Sequence, residues 1–154
     1  MLWKLRIIKT NSELDKIYHI CKITSDAYEN LPLLIKEGDS ERDISRKLRI
    51  DLISRGADSI PFLPIVSGEG GVSQIICEPT NRRLKNGDIL FIDTGSTYDG
   101  YVCDFDRNYS IGKVSDIVND VYEILWIATQ SAIDIAKPGI TLSYLWQIMV
   151  EKLD

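Results

Sequence analysis

The chain has 154 residues, enough for one domain that buries roughly two thirds of its unfolded surface. A net charge of -5, with 44% hydrophobic and 27% charged residues, excludes intrinsic disorder and argues against nucleic acid or an anionic membrane as a partner. Three cysteines without CxxC spacing fit reduced thiols, and no membrane span or signal-peptide pattern is found, so we expect a cytoplasmic protein.

Two helices are predicted in the first third of the chain. Thr10 and Glu13 have capping-box spacing, and apolar residues then recur at helical intervals until Pro32, where the first helix should end. Ser40 can cap a second helix, which Gly56 can terminate. The charged residues of both helices are expected on solvated faces.

Short strands and loops are expected from residue 57 onward. The runs "FLPIV" (62–66) and "SQIIC" (73–77) alternate with glycine and proline, as strands and loops do. The segment "SGEGGV" (67–72) suggests a phosphate loop, but it lacks the following Lys-Ser/Thr, and Glu69 would repel an anion. A tight loop is the expected structure there.

A β-hairpin is predicted from residue 89. The turn signals are 86–88 and 98–100, and strand-like runs lie between and after them. If Tyr98 and Asp99 form a two-residue loop, Asp93 lies directly opposite Asp104. Asp106 then lies on the same face, opposite Phe91, so three carboxylates crowd one apolar patch.

Two further helices are predicted after the hairpin. The third begins after Ser115 and ends before the Pro138-Gly139 pair. The fourth is capped by Thr141 and runs to the terminus at Asp154. With no repeats, low-complexity tracts or linkers, we expect residues 1–154 to form a single domain.

The three hairpin carboxylates require a neutralising partner, because an unpaired buried charge costs several kcal/mol or titrates away. They can share a proton, which raises one pKa, or they can hold a cation between them. Hard oxygen ligands suit Mn, Fe, Co or Mg. Alternatively, Asp93 bonds backbone amides near Gly95 while the other two carboxylates pair with Arg107 or Arg82.

A calcium loop is excluded by spacing. Asp104, Asp106 and Asn108 match the first, third and fifth positions of an EF-hand loop. The sixth position is Tyr109, where glycine is needed, and the twelfth is Ser115, where a bidentate glutamate is needed.

The segment "GDILFIDTGSTYDGYVCDFDRNYSIG" resembles the signature of the pita-bread metallopeptidase superfamily, which includes methionine aminopeptidase, aminopeptidase P, prolidase and creatinase. The matching residues are Asp93, Gly95, Gly100, Tyr101, Asp104, Arg107, Tyr109 and Gly112. The segments "LRIIKTNSELDKI", "PTNRRLKNGD" and "KPGITLSYLW" extend the resemblance along essentially the whole chain, to the first half of the catalytic domain.

The resemblance implies an α/β (α+β) fold: half of a pita bread, a curved antiparallel sheet covered by helices. It implies that Asp93 is a metal ligand and that Asp104 bridges two divalent ions (Mn, Fe, Co or Zn), with Asp106, Arg107 and Tyr101 as supporting neighbours. It further implies a hydrolase like Xaa-Pro aminopeptidase or dipeptidase, in which metal-activated water cleaves a peptide or small amide.

Several residues that the family pattern requires are missing from this chain, and this lowers the activity that we expect. The family's His and two Glu ligands are absent, because His19, Glu123 and Glu151 lie on helices without the family's motifs. The usual substrate-positioning His would fall near Ile76, and Asp106 replaces the usual Thr. We therefore expect a truncated half-domain with weak or no metal binding and negligible peptidase activity.

Two further expectations follow from a half-domain. An open sheet edge and an exposed apolar face predict a homo-oligomer. The alternative to a hydrolase fragment is a non-catalytic module of the same fold that binds peptides or proteins.

Overall fold

A computed structural model describes residues 2–69 and 77–153. The chain divides into two compact units, Met1–Lys113 and Val114–Asp154. The helices are α1 (Leu2–Ile7), α2 (Asn11–Leu34), α3 (Glu41–Ser54), α4 (Asp116–Ile135) and α5 (Leu142–Val150). The strands are β1 (Ser59–Phe62), β2 (Ile65–Ser67), β3 (Ile89–Tyr98) and β4 (Tyr101–Ser110). The strand expected at 73–77 and the loop expected at 67–72 lie partly outside the described residues.

Helix α2 begins where its capping box predicts but ends later. The Thr10 side chain accepts from the Glu13 amide, and the Glu13 carboxylate accepts from the Thr10 amide. Pro32 does not end the helix, which continues to Leu34. Proline lacks an amide hydrogen, so the carbonyl of Tyr28 loses its helical donor. The Tyr109 hydroxyl donates to that carbonyl at 3.0 Å instead, so the Tyr28 carbonyl keeps a hydrogen bond although proline cannot supply one.

Helix α3 agrees with its sequence signals. Ser40 and Asp43 form a reciprocal capping box, and Gly56 follows the helix with φ +108°. Ile44, Leu48 and Leu52 recur every four residues and are fully buried. This apolar stripe packs α3 against α2 and the sheet. Helix α1 was not predicted from the sequence.

The sheet is built around β3. Strands β1 and β2 pair with successive parts of one edge of β3, and β4 pairs with the whole length of the other edge, all antiparallel. Within the described residues, the outer edge of β4 has no partner strand. Alternate residues of β3 are buried beneath the helices: Leu90, Ile92, Thr94 and Ser96.

The hairpin register differs from the prediction. Tyr98 pairs with Tyr101, so the two-residue loop is Asp99-Gly100 rather than Tyr98-Asp99. Both loop residues have positive φ, 46° and 79°, as a type I′ turn requires. Gly100 meets that requirement without steric cost, whereas a tyrosine would be strained there.

The observed register changes which residues lie opposite the carboxylates, but it does not change the side of the sheet on which the carboxylates lie. Asp93 lies opposite Asp106, not Asp104, and Asp104 lies opposite Gly95. Phe91 pairs with Asn108, so the expected Asp106–Phe91 pair is also wrong. Because the correction moves each partner by two residues, all three carboxylates remain on one side of the sheet.

The second unit consists of α4 and α5. Helix α4 starts after Ser115 as predicted, although the Ser115 side chain makes no capping bond. Helix α5 is capped by Thr141, whose side chain accepts from the Tyr144 amide at 3.2 Å. It ends at Val150 rather than running to the terminus. None of the helices described here is both long and apolar enough to cross a bilayer.

Candidate metal centre

Three carboxylates gather on the face of the β3–β4 hairpin that points away from α2. Asp106 is directly opposite Asp93, and Asp104 lies diagonally across, opposite the residue two positions after Asp93. Directly opposed side chains on one face have Cβ atoms about 4.5–5.5 Å apart, where like charges repel. Asp93 is partly buried, whereas Asp104 and Asp106 are exposed.

Asp93 is the electrostatically strained member of the group. Burial first, and then the negative charges of Asp106 and Asp104, raise the pKa of Asp93 to about 6. One of its oxygens, Oδ1, is buried without a hydrogen-bond partner within residues 2–69 and 77–153. An unpartnered buried acceptor is costly, so this oxygen needs a donor or a cation.

The arginines do not neutralise the carboxylates. Arg82 forms a two-point contact with Asp88, at 2.7 and 2.8 Å. Arg107 donates to the backbone carbonyl of Asp106, and its guanidinium lies over the rings of Phe105 and Tyr28. The alternative in which Arg82 or Arg107 pairs with Asp104 and Asp106 is therefore not what the structure shows.

Two residues predicted to support the site lie on the other face of the hairpin. The Tyr101 hydroxyl donates to Glu13 of α2 at 2.9 Å, and Arg107 occupies the same helix-facing side as Phe105. The structure thus brings Asp106, but neither Tyr101 nor Arg107, together with Asp93.

Asp93 and Asp104 carry the type of ligand atom that a divalent cation takes. Among the residues that the structure describes, Oδ1 of Asp93 has no hydrogen-bond partner, and hard carboxylate oxygens suit a divalent ion. The set is incomplete: in the described part of the chain, no group of three or more His, Cys, Asp or Glu side chains is arranged to hold a metal ion.

The other acidic and imidazole groups considered from sequence lie elsewhere. The His19 ring packs against the Tyr98 ring at a tilt of 57°, with ring centroids 4.4 Å apart, at the helix-facing side of the hairpin. Glu123 is exposed on α4, and Glu151 accepts from Gln147 next to α5. Ile76, where a substrate-positioning His would fall, lies outside the described residues.

Sequence reasoning missed a polar layer directly behind the carboxylates. The Tyr28 hydroxyl lies 2.6 Å from Thr94 Oγ1, and Thr24 Oγ1 lies 2.7 Å from Ser96 Oγ. The signal was available: Thr24 and Tyr28 are one turn apart in an apolar helix stripe, and Thr94 and Ser96 share one strand face. Polar side chains at matching positions on two buried faces indicate contact between them.

Known proteins similar to this chain are peptidases. The sequence profile of metallopeptidase family M24 matches residues 15–154. An Xaa-Pro dipeptidase of Pyrococcus furiosus is 31% identical over 147 residues, which make up 96% of this chain and 42% of the relative.

Solved structures share the fold. The prolidase of Pyrococcus furiosus superposes with a TM-score of 0.91 at 31% identity, covering 97% of this chain and 44% of that one. An X-Pro aminopeptidase of Thermotoga maritima gives 0.90 at 29% identity, covering 97% and 43%. These superpositions confirm the expected fold class, an antiparallel sheet covered by helices as in part of the pita-bread fold. The chain spans about two fifths of the length of these relatives.

Proposed function

Because the chain belongs to metallopeptidase family M24, we propose that it forms part of a binuclear metal-dependent hydrolase that cleaves Xaa-Pro peptide bonds. The observation that supports this proposal is the buried Oδ1 of Asp93, which lies beside two further carboxylates and has no hydrogen-bond partner in the described part of the chain. The similarity to an Xaa-Pro dipeptidase supports the substrate class.

Each carboxylate has a role in this proposal. Asp93 and Asp104 would hold the divalent ions, and Asp106 would add negative charge beside Asp93. A bound divalent ion supplies a water of lowered pKa and stabilises negative charge on the amide carbonyl oxygen. The hairpin fixes the positions of Asp93 and Asp104, because both residues lie on paired strands rather than on a loop.

The isolated chain is expected to have no measurable Xaa-Pro dipeptidase activity with Mn, Co, Fe or Zn, because two carboxylates do not complete a binuclear site. Activity should appear in a chimera in which this chain replaces the matching segment of the Pyrococcus furiosus Xaa-Pro dipeptidase. Asp93→Asn in the chimera should lower kcat/KM by more than about 100-fold.

Glu29→Gln, an exposed change on α2, is the matched control and should leave the chimera's activity intact. A chimera that folds, as judged by circular dichroism, yet hydrolyses nothing would contradict the proposed function. Robust turnover by the isolated chain would contradict the expectation that its set of metal ligands is too small for catalysis.

Self-association is expected through the second unit. Large apolar side chains are exposed along α4 and α5: Ile117, Val121, Tyr122, Ile124, Leu125, Trp126, Ile127, Ile133, Leu142, Tyr144 and Trp146. A helix that is apolar around most of its circumference is normally covered. We therefore expect sedimentation to show a dimer or larger species.

A charge on this surface should disperse the assembly. Leu125→Glu is expected to shift the sedimentation profile toward monomer, because a buried charge is costly in an apolar contact. Leu33→Glu, at an exposed apolar position on α2, should leave the profile unchanged. A wild-type chain that sediments as a clean monomer would overturn the expected homo-oligomer.

A reducing compartment suits the chain in this proposal. Cys21, Cys77 and Cys103 are all free thiols, and Cys103 is buried. Free thiols persist in the cytoplasm, which is the location we assign, with no nucleic acid or membrane partner.

A further inference from the structure

The Tyr28 hydroxyl of α2 contacts both strands of the hairpin. It lies 2.6 Å from Thr94 Oγ1 on β3 and 3.1 Å from the carbonyl oxygen of Phe105 on β4. The carbonyl of Ile92 lies 3.4 Å away. A single hydroxyl on the helix is thereby tied to two paired strands.

The contact points are next to the carboxylates. Thr94 directly follows Asp93, and Phe105 lies between Asp104 and Asp106. Thr94 and Phe105 are themselves paired across the hairpin. Tyr28 therefore contacts both strands at the level of the carboxylates, through the Thr94 side chain on β3 and the Phe105 carbonyl on β4, from the opposite side of the sheet.

The surroundings keep this hydroxyl in place. Tyr28 is 4% exposed, and its ring packs between those of Phe105 and Tyr109 at centroid distances of 6.1 and 6.4 Å. Burial, followed by neighbouring negative charges, raises the pKa of Tyr28, so the hydroxyl stays protonated and can donate. One turn earlier, Thr24 bonds Ser96 and so extends the polar layer along the hairpin.

Fixing the strands is useful because the carboxylates oppose their own alignment. Three like charges on neighbouring strand positions repel one another and favour splaying of the hairpin in the absence of a cation. Loss of a group that is hydrogen-bonded to a metal ligand typically lowers metal affinity about 10–100-fold, and Tyr28 acts one step further away, through the strand positions next to the carboxylates.

We propose that Tyr28 is a positioning residue that sets the arrangement of Asp93 and Asp104 for cation binding through its bonds to Thr94 and Phe105. The proposal rests on the proposed function, because it assumes that these carboxylates bind a divalent ion. It assigns to a buried helix residue a role in the geometry of a site on the far side of the sheet.

The test titrates the full chain with Co²⁺ and follows paramagnetic shifts of the Asp93 and Asp104 amide signals in ¹H–¹⁵N spectra. Tyr28→Phe should weaken Co²⁺ binding about tenfold and change the pattern of shifts at saturation. Thr94→Val removes the partner hydroxyl on β3 but keeps the bond from Tyr28 to Phe105, so it should weaken Co²⁺ binding in the same direction and by no more than Tyr28→Phe does. The double variant should bind no worse than Tyr28→Phe alone, because Tyr28→Phe already removes the bond that Thr94→Val breaks.

Tyr109→Phe is the matched control. It also removes a hydroxyl bond between β4 and α2, the 3.0 Å bond to the Tyr28 carbonyl, but it leaves the contacts of the Tyr28 hydroxyl intact. It should lower the free energy of unfolding without changing Co²⁺ affinity or the shift pattern.

The outcomes separate the inference from the proposed function. If wild type binds Co²⁺ and both Tyr28→Phe and Thr94→Val, folded at the temperature used, bind it with unchanged affinity and shifts, the positioning role is wrong and the metal site stands. Equal losses in Tyr28→Phe and Tyr109→Phe would also overturn the role. If wild type shows no Co²⁺-dependent shifts at Asp93 and Asp104 up to millimolar Co²⁺, the isolated chain binds no cation there and the positioning role is wrong, whereas the proposed function is tested separately by the activity of the chimera.

Discussion

Asp93→Asn should raise the free energy of unfolding of the metal-free chain by about 1–2 kcal/mol at pH 7. The reason is that burial and the charges of Asp106 and Asp104 disfavour the ionised form of Asp93 in the folded state. An amide is uncharged and can donate to a neighbouring carboxylate. A fully buried group with a pKa near 6 would give about 3 kcal/mol, and the part of Asp93 that remains in water reduces this value.

The higher free energy of unfolding of Asp93→Asn relative to wild type should disappear in acid. The pKa of Asp93 rises from an ordinary 3.8 to about 6 on folding, so the folded chain binds the proton more tightly than the unfolded chain. The stability contributed by protonated Asp93 is fully present below pH 3.8 and is lost as pH rises through about 6. The difference between Asp93→Asn and wild type should therefore grow from pH 4 to pH 7.

Urea unfolding at pH 4, 5, 6 and 7 measures this effect. Glu29→Gln, an exposed carboxylate on α2, is the control and should change stability by less than about 0.5 kcal/mol at each pH. An Asp93→Asn chain that is less stable than wild type at pH 7 would show that the carboxylate is well satisfied without a cation.

Glu41→Gln should lower the free energy of unfolding by about 2–3 kcal/mol. Glu41 is 3% exposed, and its carboxylate accepts from the Ser67 hydroxyl and from both the amide and the hydroxyl of Thr80. Arg82 in turn donates to Ser67. A glutamine turns an NH₂ group toward one of these donors and leaves it unpaired in a buried place.

The same unfolding measurement tests this network. Glu37→Gln is the control, because Glu37 accepts a single exposed bond from the Asn86 amide and its replacement should cost less than about 0.5 kcal/mol. Equal losses in the two variants would show that the buried network around Glu41 contributes little.

Local chemistry made the starts of the helices predictable, whereas their ends depended on distant contacts. The capping boxes at Thr10 and Ser40 are complete within four residues, so the sequence alone specifies them. The end of α2 was missed because Pro32 is tolerated through a bond from Tyr109, which lies far along the chain. No local pattern contains that bond.

In the hairpin, the choice of the two turn residues determines which carboxylates lie opposite each other. The Asp99-Gly100 pair is the strongest local signal for a type I′ turn, and giving it priority over Tyr98-Asp99 would have paired Asp93 with Asp106. The two-residue period still placed all the carboxylates on one face, because the error was an even number of residues. The same two-residue period places Arg107 on the side of the sheet opposite to the carboxylates.

The sequence shows which polar residues are available for the layer behind the site, but which of them pair with each other required tertiary information. Thr24 and Tyr28 read as part of an apolar helix stripe, and which strand that stripe meets is not encoded locally. The contacts of Tyr28 with Thr94 and Phe105 exist because α2 packs across the hairpin, a consequence of the whole core.

The most direct test of the account is whether Asp93 and Asp104 bind a divalent cation. Mn²⁺ added to the ¹⁵N-labelled chain should broaden the amide signals of residues 93–95 and 103–106 first, and this selectivity should vanish in the Asp93→Asn, Asp104→Asn double variant. Broadening spread evenly over all exposed acidic residues, or unchanged in the double variant, would contradict the claim that these opposed carboxylates form a metal site.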